Sequence, residues 1–200
     1  KHVHSFEPNP LLFSYLERNF KKLAKNITLY NSALSDETNE TDLKIPKRFK
    51  TLNKKNYEDK FKLGCATIHE ENSLNNEDFI TYKVKTAKLD EIFNGYNIGF
   101  IKIDVEGHEK NVIKGGLNLI KKCRPNLLIE IEERHSNVKT ESIINFVNDL
   151  GYKSYFCEKL KLIETSKLKD FKDFKLKNNY LFMPTWSINL SAPISSAKNL

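Results

Sequence analysis

Between residues 98 and 105 the chain is almost wholly apolar, broken by Gly99, Lys102 and Asp104, and it ends in a burst of carboxylates. Gly107 follows at once. From Lys110 to Lys122 the apolar residues Val112, Ile113, Leu117 and Ile120 fall close to helical spacing, which predicts one helix. Buried strand, acidic tip, glycine turn and helix make half of a βαβ unit. The same grammar recurs along the chain. Residues 3–7 read as the end of a strand, broken by Pro8 and Pro10. Pro10 suits the first turn of a helix capped by Asn9. That helix carries Leu11, Leu12, Tyr15, Leu16, Phe20 and Leu23 on one face and Glu17, Arg18, Lys21 and Lys22 on the other. A second strand is predicted over 27–34.

Residues 36–62 are polar, which predicts short hairpin pieces or a surface excursion. Short strands follow at 64–68 and 79–84, then a short helix over 88–93. After the central unit, 126–132 is predicted as a buried parallel strand, again ending in acid, and 141–150 as a helix stopped by Gly151. Residues 152–157, 160–163 and 179–183 predict further strands. Leu168, Phe171 and Phe174 lie three apart, and the 167–177 run reads as a short helix laid on the core. The alternation of strand and helix predicts an α/β fold, a parallel sheet with helices on both faces and an antiparallel edge.

In open α/β sheets ligands sit at the carboxyl ends of the strands. Asp104, Glu106, Glu109 and His108 lie within six residues of one another at such a tip. Close like charges repel, so stability alone explains the cluster poorly. It can hold a cation through oxygens, orient a cation-bearing cofactor, or take a proton from a hydroxyl. Acids at a helix start also complement the helix dipole, which fits Glu109 better than Asp104. His108 reads either as a general base or as an ordinary turn residue. Glu7 ends the first strand, where nucleotide-binding folds place an acid on the ribose hydroxyls. Ser35 and Asp36, Glu130, Glu132 and His135 end or follow other strands and could line the same crevice. A turn-forming role explains them as well.

Composition narrows the field only a little. The 200 residues make one domain, expected over 1–186 with a polar tail at 187–200. There are 33 Lys plus Arg against 26 Asp plus Glu, a net charge of +7. The excess is scattered lysine with no recognisable nucleic-acid module, so it speaks to solubility and no nucleic-acid partner is expected. Three cysteines without a CxxC pair indicate neither a disulfide framework nor a zinc site, and they fit a reducing, cytoplasmic setting. No apolar run reaches membrane-spanning length.

Six segments along the chain stand out together. They are Ser5-Phe6-Glu7-Pro8-Asn9-Pro10, Asn31-Ser32-Ala33-Leu34-Ser35-Asp36 and Thr86-Ala87-Lys88-Leu89-Asp90-Glu91. Then come Ile101-Lys102-Ile103-Asp104-Val105-Glu106-Gly107-His108-Glu109 with Gly115-Gly116, Arg124-Pro125-Asn126-Leu127-Leu128-Ile129-Glu130, and the closing Asn179-Tyr180-Leu181-Phe182-Met183-Pro184. Together they resemble the FkbM-type S-adenosylmethionine-dependent methyltransferases, and the resemblance implies a class I methyltransferase (Rossmann-like) sheet of order 3-2-1-4-5-7-6, S-adenosyl-L-methionine as cofactor, and transfer to a hydroxyl of a sugar, polysaccharide or natural product. It implies that Glu7, with Pro8 beside it, holds the ribose. Ala33 and Leu34 would approach the adenine, and Asp104 the methionine end and the reacting centre. Asp104 is the first candidate for the base, with His108 and Glu106 after it, and no metal ligand set is assigned. The family does not demand histidine at position 108.

Family members carry a first strand and a glycine-rich loop ahead of the Phe-Glu-Pro-Asn-Pro motif, and this chain begins just before it. The expectation is therefore an amino-terminally truncated fragment, lacking a central strand and binding cofactor weakly. Two other function classes stand beside the methyltransferase. An NAD-dependent sugar oxidoreductase also suits an acid after a strand, but lacks a Tyr-x-x-x-Lys pair. A non-catalytic basic domain would bind polyanions with steep salt dependence.

Overall fold

The computed structural model describes residues 1–23, 25–46, 65–68, 79–133, 138–168 and 178–185. Parallel strands β1 (Val3–Phe6) and β2 (Ile27–Tyr30) are joined through helix α1 (Pro10–Leu23). Asn9 caps that helix, its Oδ1 accepting the Leu11 N–H at 3.0 Å, as the Pro-Asn-Pro run predicts. Tyr15 and Phe20 of the expected inward face remain exposed. The β1–β2 pair is only two strands wide and cannot cover a full helix face.

The expected strand over 27–34 is two. At Asn31 the chain leaves β2, and Ala33–Leu34 (β3) pairs with a different sheet. The Asn31 side chain sits at the break, donating from Nδ2 back to the Glu7 and Pro8 carbonyls at 2.9 and 3.4 Å. That sheet has order β3-β5-β4, where β4 is Glu40–Pro46 and β5 is Phe79–Ala87. β4 is the hairpin-like piece expected after Asp36. It pairs antiparallel with β5, and Leu43, Ile45 and Val84 form a small core of their own. Of the predicted strand at 64–68, Thr67 makes one antiparallel bridge to Lys44.

The main sheet has order β6-β7-β10-β8-β9. Its strands are β6 (Phe100–Ile103), β7 (Asn126–Glu130), β8 (Tyr152–Glu158), β9 (Lys161–Glu164) and β10 (Asn179–Pro184). β6 and β7 are parallel, and β10 runs antiparallel between β7 and β8. Leu127, Ile129, Tyr180 and Phe182 have no exposed surface, as central strands with two covered faces require. The β2–β1 pair and the β6-β7-β10-β8 series match the two ends of the 3-2-1-4-5-7-6 order. Among the described residues no strand pairs with both β1 and β6, so hydrogen bonding divides the expected single sheet. Stacking of Phe6 on Tyr30, centroids 4.5 Å apart, and the edge of Phe93 against Phe6 tie the smaller pair to the main core.

The helix predicted from Lys110 to Lys122 is also two: α3 (Glu109–Lys114) and α4 (Leu117–Cys123). The break falls at Gly115 and Gly116, where distant parts of the chain come close: backbone at Gly115 and the Leu89 side chain at Gly116. A Cβ at Gly115 would lie 2.0 Å from the Ser35 carbonyl oxygen. Helix α2 (Leu89–Ile92) completes the joint, with Asp90 accepting the Asn118 and Leu119 N–H groups at the head of α4. Helix α5 (Thr140–Asp149) follows β7, its first N–H bonded to Glu133, and Gly151 ends it with φ 85°. The lysine-phenylalanine run after Leu168, the tail from 186 and most of 36–78 lie outside the described residues. No described helix is long and apolar enough to cross a membrane.

Candidate active site

Glu7 stands at the carboxyl end of β1, half-buried. Its N–H extends the parallel ladder by donating to the Tyr30 carbonyl at 3.0 Å. Its Oε1 accepts the Asn9 N–H at 2.8 Å. Burial raises the Glu7 pKa above its ordinary value, and the Asn9 bond opposes that shift. Pro8 follows, with its carbonyl facing the Asn31 amide. The strand end therefore holds a carboxylate that is partly desolvated and fixed through one oxygen.

Ala33 is buried and Leu34 packs on the main core. The polar atoms just beyond them make the closest link to the β6–α3 turn. Ser35 Oγ lies 2.9 Å from His108 Nε2 and donates to Asp36 Oδ1 at 3.2 Å. Asn111 donates to the same Asp36 oxygen at 2.9 Å. Burial pushes the Asp36 carboxyl up, yet the bonds from Asn111, its own backbone and Ser35, with the Lys114 charge, outweigh it, and the net shift is downward. His108 is thus bonded to the loop after β3. Asn111 was not among the sequence candidates, though a residue three beyond His108 shares its helix side.

Asp104 projects from the tip of β6, half-exposed, with Lys102 of the same strand face paired to it. In the parallel register Ile103 faces Ile129, so Asp104 and Glu130 are next in line on neighbouring tips. Burial, then the negative charges of Asp104 and Glu132 and a hydrogen bond with Asp104, raise the Glu130 pKa. Glu132 accepts a bond from Asn178. His135 lies outside the described residues. The Glu106 carbonyl accepts the Thr67 hydroxyl at 2.8 Å. Glu109 is the buried member of the cluster, 3% exposed, with Oε1 accepting the Gly107 N–H at 3.0 Å. Burial, with Glu106 and Asp104 adding to it, pushes its carboxyl up to about 7 against the opposing backbone bonds.

The structure thus gathers the sequence candidates into three groups: Glu7 with Asn9 and Asn31, Ser35 and Asp36 with His108, and Asp104 with Glu130. No hydrogen bond or ion pair joins Glu7 to Asp104. Among the described residues no three His, Cys, Asp or Glu side chains are gathered so as to hold a metal ion.

The sequence and the fold have counterparts among known proteins. Residues 1–154 match the model of the Methyltransferase FkbM domain, and the chain belongs to that family. The fold also matches a crystal structure of Methyltransferase FkbM from Methylobacillus flagellatus KT, with a TM-score of 0.54 at 15% identity. That match covers 92% of this chain and 36% of the other, so the chain spans about a third of that protein's length. No curated protein matches the sequence.

Proposed function

We propose that the chain belongs to an S-adenosylmethionine-dependent O-methyltransferase acting on a hydroxyl of a sugar, polysaccharide or natural product, and that it carries residues of both the cofactor site and the reacting site. The placement of Glu7 carries the reading. A carboxylate at the end of a parallel strand, pinned through one oxygen by the Asn9 N–H, offers its remaining acceptor capacity to a vicinal diol such as a ribose. Its partial burial strengthens each such bond, since a hydrogen bond to a charged group is worth roughly 1.5–3 kcal/mol. Pro8 and the Ala33–Leu34 segment flank the nucleoside. S-adenosylmethionine, when bound, supplies a methyl group on a positively charged sulfur.

The chain's own residues do the rest. Asp104 receives the proton of the acceptor hydroxyl, and Lys102 steadies the carboxylate. His108 stands second for the proton and Glu106 third. Placement of the acceptor supplies most of the acceleration, up to roughly 7–11 kcal/mol.

Calorimetric titration of the full-length protein with S-adenosylmethionine tests the cofactor assignment. Glu7→Gln is expected to weaken binding about 10- to 100-fold, the equivalent of one charged hydrogen bond. Asp104→Asn is expected to leave affinity near the parent value and to lower methyl transfer by about 10²–10⁴-fold, the range of a general base. Heat with NAD⁺ and none with S-adenosylmethionine would sink the proposal, as would unchanged turnover in Asp104→Asn for the base.

A further inference from the structure

Glu109 is the one acid of the β6–α3 turn that neither the proton transfer nor the nucleoside contact uses. It is also the one withdrawn from water. Its side chain bends back to the turn that precedes it, and its Oε1 accepts the Gly107 N–H. Gly107 takes φ 93°, a left-handed conformation open to glycine and strained for other residues. The turn it closes runs directly on from Asp104, and the His108 N–H donates to the Val105 carbonyl at 3.3 Å to complete it. Two outside bonds hold the same turn, Thr67 to the Glu106 carbonyl and Ser35 to His108. From inside the segment, the Glu109 carboxyl adds a side-chain hold to that backbone bond.

We infer that Glu109 is a positioning residue: by accepting the Gly107 N–H from a buried site, it holds the Asp104–Gly107 turn in the geometry that presents Asp104 to the acceptor. The inference rests on the methyltransferase reading above and adds a residue to it. Among the described residues, the charges acting on Glu109 are Glu106 and Asp104, both on its own segment, and both favour its neutral form. A carboxylate accepts a backbone N–H about twice as strongly as a neutral carboxyl does. The hold on the turn therefore strengthens as Glu109 ionises, around pH 7.

Two variants of the full-length protein separate the outcomes. Glu109→Gln keeps an acceptor oxygen of the same reach and loses the titration. Glu109→Ala loses the acceptor. Hydrogen exchange at the Gly107 amide is read first, because it needs no cofactor. Protection is expected to fall at least tenfold in Glu109→Ala and to persist in Glu109→Gln, and equal protection in all three proteins overturns the inference. Turnover is read second, with S-adenosylmethionine saturating. The parent kcat is expected to rise several-fold from pH 6 to pH 8, whereas Glu109→Gln changes less than twofold and Glu109→Ala falls at least tenfold with little change in cofactor KM. A parent protein that transfers methyl, with a Glu109→Gln profile that follows it, overturns Glu109 alone. A parent that neither binds S-adenosylmethionine nor transfers methyl overturns the proposed function and this inference with it. Should Glu109→Ala fail to fold, the contrast between parent and Glu109→Gln decides.

Discussion

At single residues, burial sorts acids that look alike in the sequence. Asp104, Glu106 and Glu109 sit within six positions of one another, but the first is half-exposed and the last is nearly sealed. The difference has a thermodynamic consequence. Glu109 titrates near 7 folded and near its ordinary 4.5 when unfolded. The folded state thus holds the proton over that interval. The contribution to stability is complete below about pH 4.5, is lost as pH rises to about 7, and is flat above. The loss amounts to about 3 kcal/mol. Glu109→Gln has no such titration, so its stability relative to the parent should improve by that order between pH 4.5 and pH 8. Urea unfolding at the two pH values measures the difference, and parallel stability curves for the two proteins would contradict it.

Among elements, the joint between β3 and the α3–α4 corner depends on missing side chains. Gly115 lets the Ser35 carbonyl come close enough that an added Cβ would meet it at 2.0 Å, and the obstruction is backbone. At Gly116 the nearest atom is Leu89 Cδ1 at 2.9 Å, the free end of a side chain. Gly115→Ala should therefore cost about 3 kcal/mol, the upper range for overpacking. Gly116→Ala should cost less, because the end of the Leu89 side chain can give way, leaving mainly the smaller loss of replacing a glycine N-cap by alanine. Urea denaturation of the two variants tests the contrast, and equal losses would refute it. The strand tips, the Asn9 cap and the Gly151 stop were legible in the sequence, because each follows from a local rule about proline, asparagine or glycine. The division of 27–34 and of 110–122 was not. Over 27–34 the apolar pattern runs on past Asn31, and over 110–122 the helical spacing runs on past Gly115 and Gly116, whose close contact with Ser35 and Leu89 is visible only in the packed chain.

At the scale of the molecule, two apolar cores of unequal size hold the sheets among the described residues. The larger joins β6, β7, β8 and β10 to α3, α4 and α5, and the smaller holds Leu43, Ile45 and Val84 between β4 and β5. A small core supports local opening below the global unfolding free energy. Ile45→Ala should accelerate amide exchange in β4 and β5 while β7 and β10 stay protected. Ile129→Ala should lower protection throughout, with a loss of about 2–5 kcal/mol. Uniform acceleration in both variants would show that the two cores open as one.

The order of strands and helices, the acidic tips and the family are written in the linear chain. Period and punctuation are local properties, and the FkbM motifs follow one another in register. Which acids share an environment is not local. The register of β6 against β7 brought Glu130 to Asp104, the crossing of Ser35 over Gly115 brought His108 to the β3 loop, and burial separated Glu109 from its neighbours. Such pairings join residues 20 to 80 positions apart, and their energies depend on distance and on excluded water, which only the packed chain supplies.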